Sequence, residues 1–385
     1  MSRTTGLARV ARTVGVVVAG IGVALAVYAL TGYDVGEVVS GILQGSVATP
    51  EALTQSVRWA VPLLLIALGV SVSFRAGYFN VGAQGQMYLG SIGALWAAVS
   101  LEGMPAWLAV PIVLLAGIVC GAIWSLISGV LRFVFAADEV VTSLMLNFIA
   151  ILLLQWVAAG PLKSGAGSGQ AAVSVPVPTD LRISGISGVS PTILVICAVV
   201  TASAFVFGRF TRTGLEIRIA GRNPVMAKWQ GVDDKKLGSL VFALSGATAG
   251  LAGAVEVLGP AGMIRAAYSP QVGFMGIIVA LVGGLGVFGV LAAAAFFGAL
   301  RAATLFLPVV SDVPQSGVEL ISGLVALLIT ISAVPLSIAA IPAWLARRRR
   351  RMQESALIAP VPRSDGDPPR NAQDTGPMLA KTGGK

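Results

Sequence analysis

The sequence predicts an all-α fold, a polytopic transmembrane helix bundle, and three observations predict it. Apolar residues make up 56% of the 385 and charged residues only 11%, with a mean hydropathy of +0.87; a soluble domain carries about 25% charged residues. Apolar runs long enough to cross a hydrocarbon core of about 30 Å recur along the chain. Basic residues gather in the segments between and beyond those runs, as the positive-inside rule requires. The formal charge of +9 is thereby assigned to membrane topology and contact with membrane lipid, with no nucleic acid partner implied.

Read with a window of about 20 residues, the runs are 14–30, 57–74, 86–101, 106–132, 140–159, 190–208, 237–258, 272–286, 288–307 and 318–340. About ten spans result, within bounds of eight to eleven, and Gly283-Gly284-Leu285-Gly286 shortens the first member of the pair at 272–307. Arg3, Arg9 and Arg12 precede the first run and Arg347–Arg351 follow the last, which puts both termini in the cytoplasm and makes the number of spans even. Alternation then places 209–236 inside, with Arg209, Arg212, Arg218, Arg222, Lys228, Lys235 and Lys236. It places 160–189 outside as an irregular Gly/Ser/Pro-rich loop carrying only Lys163 and Arg182. The layout is a cytoplasmic N-terminus at 1–13, a transmembrane domain at 14–346 and a basic, disordered cytoplasmic tail at 347–385. Ala24-Leu25-Ala26 imitates a signal-cleavage site, but the apolar stretch runs on through Leu30, so the first run is read as an uncleaved helix.

Glycine, at 47 residues, is abundant, and Gly41/Gly45, Gly117/Gly121 and Gly246/Gly250 stand in the spacing that lets transmembrane helices approach closely. Cys120 and Cys197 both fall within apolar runs, as packing residues rather than a disulfide or metal framework. Histidine is absent, which removes the commonest proton shuttle and metal ligand. No metal site is expected. Asp138 and Glu139 open one span, where carboxylates favour the helix dipole. Glu256 and Glu319 fall near outer span ends and are expected to be hydrated there.

A polar, glycine-rich island interrupts the apolar pattern at Phe79-Asn80-Val81-Gly82-Ala83-Gln84-Gly85-Gln86. In hydrocarbon such a break is tolerated only against protein or a watery cavity. Asn80, Gln84, Gln86 and, farther on, Asn147 can both donate and accept hydrogen bonds; Tyr78, Phe79 and Tyr88 offer ring faces for stacking. Two roles stay open for these amides: contacts along a substrate pathway, or bonds that hold helices together.

A second feature lies in the basic loop. Asn223-Pro224-Val225-Met226-Ala227-Lys228-Trp229-Gln230-Gly231 reads as an N-cap, a proline at the first helical position, a short helix and a closing glycine. Val225, Met226 and Trp229 share one face, suited either to a partner's groove or to a lipid surface. The chain has no G-x-x-x-x-G-K-[ST] phosphate loop; its only Gly-Lys pair, Gly384-Lys385, ends the sequence.

Phe79–Gln86 followed by Met87-Tyr88-Leu89-Gly90 resembles the signature of permease subunits of ABC importers, in the branch that takes nucleosides and simple sugars. That branch is related more distantly to ribose and branched-chain amino acid permeases. Further matches are Ala137–Ala150, then Thr213-Gly214-Leu215 through Gly221-Arg222-Asn223 to Gly231, then Ser245-Gly246 with Ala249–Gly253, and Ala280–Gly284 with Phe297–Arg301. These lie in one order across residues 55–330.

The resemblance implies a pathway for nucleosides or simple sugars that includes Phe79, Asn80, Gln84, Gln86, Tyr88 and Asn147. It implies coupling to an ATPase through Gly214, Arg218, Gly221, Arg222, Asn223, Val225, Met226, Trp229 and Gly231. It implies an ATP-binding subunit, a second permease subunit (identical or related), an external substrate-binding lipoprotein and residence in a bacterial plasma (inner) membrane. ATP would be used by the partner, with no cofactor bound by this chain and no catalytic residue of its own. Gly284–Gly289 lacks the Asn-Pro often found there, and Ser322-Gly323 lacks an expected Gln, so sugar or another small solute stays open as substrate. The competing class is a carrier driven by protons or sodium, against which stands the shortage of ionisable residues deep in the spans.

Overall fold

The computed structural model describes residues 15, 18–23, 25–165, 173–183, 185, 189–265, 271–310 and 323–324. The N-terminal segment 1–13, the tail at 347–385, Glu319 and, apart from 323–324, the run at 318–340 lie outside the described residues. The described residues belong to one unit, Met1–Ala333. They are helical, with isolated bridges Lys163–Ser174 and Val173–Arg265 as the β pairing among them.

The helices are α1 (Val18–Leu30), α2 (Val35–Ser46), α3 (Pro50–Ala76), α4 (Ala83–Ser100), α5 (Ala106–Phe135) and α6 (Glu139–Ala159). They continue as α7 (Pro191–Phe210), α8 (Arg212–Arg222), α9 (Pro224–Trp229), α10 (Asp234–Glu256), α11 (Val272–Val282) and α12 (Val287–Val310). Six of these, α3, α5, α6, α7, α10 with its π-turn extension and α12, are long and apolar enough to cross a membrane.

Caps set several boundaries that hydropathy misses. Thr49 accepts from the Ala52 N–H and Pro50 occupies the first turn, so α3 starts well before the apolar run at 57. It ends at Gly77, whose φ of 87° is the left-handed closure that favours glycine. No apolar run announces α2. Asp34 caps it through the N–H groups of Gly36 and Glu37, and its Gly45 sits against the Phe306 ring of α12.

The centre is built by backbone proximity. Gly117 and Gly121 of α5 face Gly246 and Gly250 of α10, and Gly90 of α4 meets the same Gly250. A Cβ added at Gly121 would stand 2.4 Å from the Gly246 carbonyl oxygen, and one at Gly250 would stand 2.2 Å from that of Gly117. Without a hydrophobic force between helices in lipid, this closeness supplies the dispersion contacts and short polar contacts that hold the bundle. Cys120 and Cys197 are free thiols.

One end of the bundle carries α8, α9 and the start of α10. The opposite end is covered by 173–183, which lies along 258–265: Ser174 N, Val177 N and Ile183 N donate to the carbonyls of Ile264, Gly262 and Leu258. Beneath this cover Glu256 is buried and paired with Arg58 at 3.0 Å. This corrects the expectation of a hydrated Glu256, because α3 supplies a cation 198 residues away in sequence, and a buried carboxylate is tolerated when paired. Arg58 also lies over the Trp59 ring, 4.1 Å from its centroid.

Candidate functional site

The polar island folds back into the bundle instead of turning at its surface. Tyr78 is held at the Asp234 end of α10, where its hydroxyl donates to the Asp234 carboxylate; burial first, and that bond second, push the phenol above its ordinary range. Two residues later Asn80 reaches Ser245, eleven residues up α10, or about 16 Å at the helical rise. Asn80 is 0% exposed. Its Nδ2 donates to Gln86 Oε1 (3.3 Å), Ser125 Oγ (3.3 Å) and Ser245 Oγ (3.1 Å), and its Oδ1 accepts from Gly82 N (3.0 Å) and Gln86 Nε2 (2.9 Å). Ser125 in turn donates to the Phe242 carbonyl at 2.7 Å.

A second amide secures the other side. Asn147 of α6 accepts from Gly85 N at 2.8 Å and donates to the Val81 carbonyl at 3.0 Å, while Ser143 accepts from Val81 N at 3.1 Å. Backbone groups of Val81 and Gly85 in the break are thus satisfied by side chains from α6, and that of Gly82 by Asn80, as hydrocarbon requires.

The N-termini of α4 and α11 meet here. Neither has a side-chain cap from its own preceding residue. Gln84, in the first turn of α4, supplies one: its Oε1 accepts from Gly273 N in the first turn of α11 at 2.6 Å. A Cβ at Gly273 would stand 2.3 Å from the Gln84 Cα, so glycine is what permits this approach. Gln84 is 4% exposed and its Nε2 has no hydrogen-bond partner among the described residues. Tyr88 is buried one turn on, and Phe79 is half-exposed against Phe74, with ring centroids 5.2 Å apart.

At the α8–α9 end, the short helix expected from the sequence is present. Asn223 Oδ1 accepts from Met226 N at 3.0 Å, Pro224 opens α9, and Gly231 closes the segment at a φ of 79°. Trp229 is 87% exposed, with Val225 and Met226 beside it, while Ala227 is buried on the opposite face. Asp233 caps α10 through the N–H groups of Lys236 and Lys235, which hold its carboxyl below the usual range. A cavity of about 770 Å³ lies between Val225, Lys228 and Tyr78. Gly214 and Gly221 seat α8 against Phe207–Gly208 and the end of α3, and Arg218 and Arg222 line a cleft beside it.

Sequence reasoning missed Ser125 and Ser143 as partners of the island, Gly273 as the partner of Gln84 and Arg75 beside α8. Ser245 was visible through its place before Gly246. Ser125, four residues beyond Gly121, had a comparable signal.

Membrane-crossing helices, a buried polar break and helix termini meeting inside the bundle define a multi-pass integral membrane protein built as a solute permease. Residues 52–343 match the family described as branched-chain amino acid transport system / permease component, and the chain belongs to that family. It is 35% identical over 291 residues to the glucose ABC transporter permease protein TsgB13 of Haloferax volcanii, covering 73% of this chain and 76% of that one. It is 29% identical over 321 residues to the guanosine ABC transporter permease protein NupP of Bacillus subtilis (82% and 91% covered). A nucleoside ABC transporter permease protein, NupB of Lactococcus lactis, is 29% identical over 268 residues (66% and 73%). No solved structure matches the chain significantly. The chain is a permease subunit of an ABC transporter, a class that works with ATP-binding and substrate-binding proteins.

Proposed function

We propose that this chain forms the translocation pathway of an ATP-driven importer of nucleosides or simple sugars in a bacterial plasma membrane. The observation that carries the pathway is the meeting of the α4 and α11 N-termini at Gln84, whose buried Nε2 lacks a partner among the described residues. A neutral amide beside two helix N-termini suits uncharged solutes rich in hydroxyl or carbonyl acceptors. The names of the relatives, glucose, guanosine and nucleoside, support the same solute classes.

In this reading Asn80, Gln86 and Asn147 keep the break in shape, Gln84 and Tyr88 border the solute's route, and Phe79 offers a ring toward the α8–α9 end. That end faces the cytoplasm, given the basic residues of 209–236. About ten spans, both termini inside, an external loop at 160–189 and a cytoplasmic tail at 347–385 complete the topology. The exposed face of α9 docks into a separate ATP-binding subunit, which binds and hydrolyses the ATP; this chain contributes no catalytic group. A second permease subunit and an external binding lipoprotein complete the complex.

The test is co-purification of the tagged chain in mild detergent with mass spectrometry of its partners, then uptake by the reconstituted complex. Stoichiometric recovery of an ATP-binding cassette subunit and ATP-dependent uptake of labelled guanosine or glucose are expected. Uptake driven by an ion gradient without ATP would replace this reading with the carrier class.

A further inference from the structure

Beside α8 lies a cleft of about 600 Å³ lined by Arg75, Arg209, Arg218 and Arg222 and by no acidic residue. Among the described residues none of the four takes part in an ion pair and the buried Arg218 Nε has no hydrogen-bond partner. Unpaired arginines in a partly dry cleft call for an anion, and a guanidinium binds phosphate oxygens two at a time. The cleft does not end at its basic floor. Phe205, Val287 and Phe288 are shared with a groove of about 540 Å³ that runs between α3, α7 and α12 past Leu64, Ala198 and Leu291. The polar side chain of this groove, Thr201, spends its hydroxyl on the Cys197 carbonyl at 2.7 Å. The surface is thus amphiphilic along its length, cationic at the α8–α9 end and apolar along the spans.

We propose that this cleft and groove hold one anionic diacyl phospholipid, with its phosphate on Arg75 and Arg218 and an acyl chain between α7 and α12. Basic pockets between transmembrane helices at the cytoplasmic surface are suited to such headgroups, and only an amphiphile satisfies both parts of the surface. The bound lipid links the end of α3, the body of α7 and α8. The assignment to the cytoplasmic leaflet rests on the orientation given under Proposed function; the preference for an anionic headgroup does not.

The test is native mass spectrometry of the delipidated, full-length protein offered phosphatidylglycerol and phosphatidylcholine at equal concentration. Retention of phosphatidylglycerol about tenfold over phosphatidylcholine is expected. The double variant Arg75→Gln/Arg218→Gln should lose that preference. Ala198→Trp, which fills the groove, should lower retention of both lipids, and thermal melting of each variant in the same detergent reports whether it is folded. Glycerol phosphate at tenfold excess should not displace the lipid. Equal retention of the two lipids by the wild-type protein would overturn the proposal, and full displacement by glycerol phosphate would reassign the cleft to a soluble phosphate. A dimer dissociated by Ala198→Trp would reassign the groove to a second copy of the chain. Because no readout is transport, failure of the importer reading leaves this result standing, and the reverse.

Discussion

Gly221 of α8 lies directly on the backbone carbonyl of Arg75 in the last turn of α3: a Cβ added at Gly221 would stand 1.8 Å from that oxygen. Contacts that short do not occur, so any side chain there must push α8 off the end of a membrane-crossing helix. Gly77, in left-handed geometry, lies next to the same contact. The seat therefore joins the α8–α9 platform to α3, and in the proposed importer a displacement of α9 by a bound partner would reach the bundle through it. Gly221→Ala is expected to cost about 1–3 kcal/mol by overpacking, read as a lowered melting temperature. Uptake should fall more than the melting shift accounts for, with ATP-binding subunit still recovered. Unchanged uptake would show that α8 and α3 do not move as one piece.

Trp229 stands almost fully exposed on α9, with Val225 and Met226. An apolar face of this kind on a soluble surface is costly unless something covers it. Trp229→Asp should abolish co-purification of the ATP-binding subunit and coupled uptake, while the chain still inserts and melts normally. If the variant keeps its partner and loses only affinity for liposomes, α9 lies on lipid instead.

Asn80 ties the island to α5 through Ser125 and to α10 through Ser245, and holds the island's own turn through three bonds to Gly82 and Gln86. Asn80→Leu removes them and strands Gln86, Ser125 and Ser245 partners in a dry interior. The two interhelical bonds account for about 1 kcal/mol at about 0.6 kcal/mol each, and the buried groups left unsatisfied add to it, so a loss of roughly 2–3 kcal/mol is expected in a denaturation or melting experiment. Asn80→Asp should be as damaging, since it loses the donor and buries a charge. A variant of wild-type stability would move Asn80 out of this structural role.

How much of this was legible depends on whether the signal was local. Helix α9 could be read from nine residues because its cap, its proline and its closing glycine all act within one turn. The Gly117/Gly121 and Gly246/Gly250 pairs were legible as contact surfaces, but not as each other's partners, because spacing carries no address. Helix α2 escaped because it is short and amphiphilic, and its stability comes from α12 through Gly45 and Phe306. Glu256 was misplaced in water because its partner Arg58 is 198 residues away. The island was visible as a break. That the break folds inward, and that α11 begins where α4 does, follows from tertiary hydrogen bonds that no window of sequence contains.

Gln84 gives the sharpest test of the pathway. Its carbonyl is committed to Gly273 N, while its Nε2 is buried without a partner among the described residues, an arrangement that costs about 1–3 kcal/mol. A solute oxygen that takes up this donor recovers that cost on binding. Gln84→Glu keeps the shape and the acceptor for Gly273, and its charge, unlike one at Asn80, is favoured by the two helix N-termini beside it; it removes the donor, so folding should survive while KM for guanosine or glucose uptake rises about tenfold, which is 1.4 kcal/mol. Gln84→Leu loses the cap on α11 as well and should lower both uptake and melting temperature. If Gln84→Glu leaves KM unchanged for every nucleoside and sugar tried, the meeting point of α4 and α11 is a structural joint and the solute passes elsewhere.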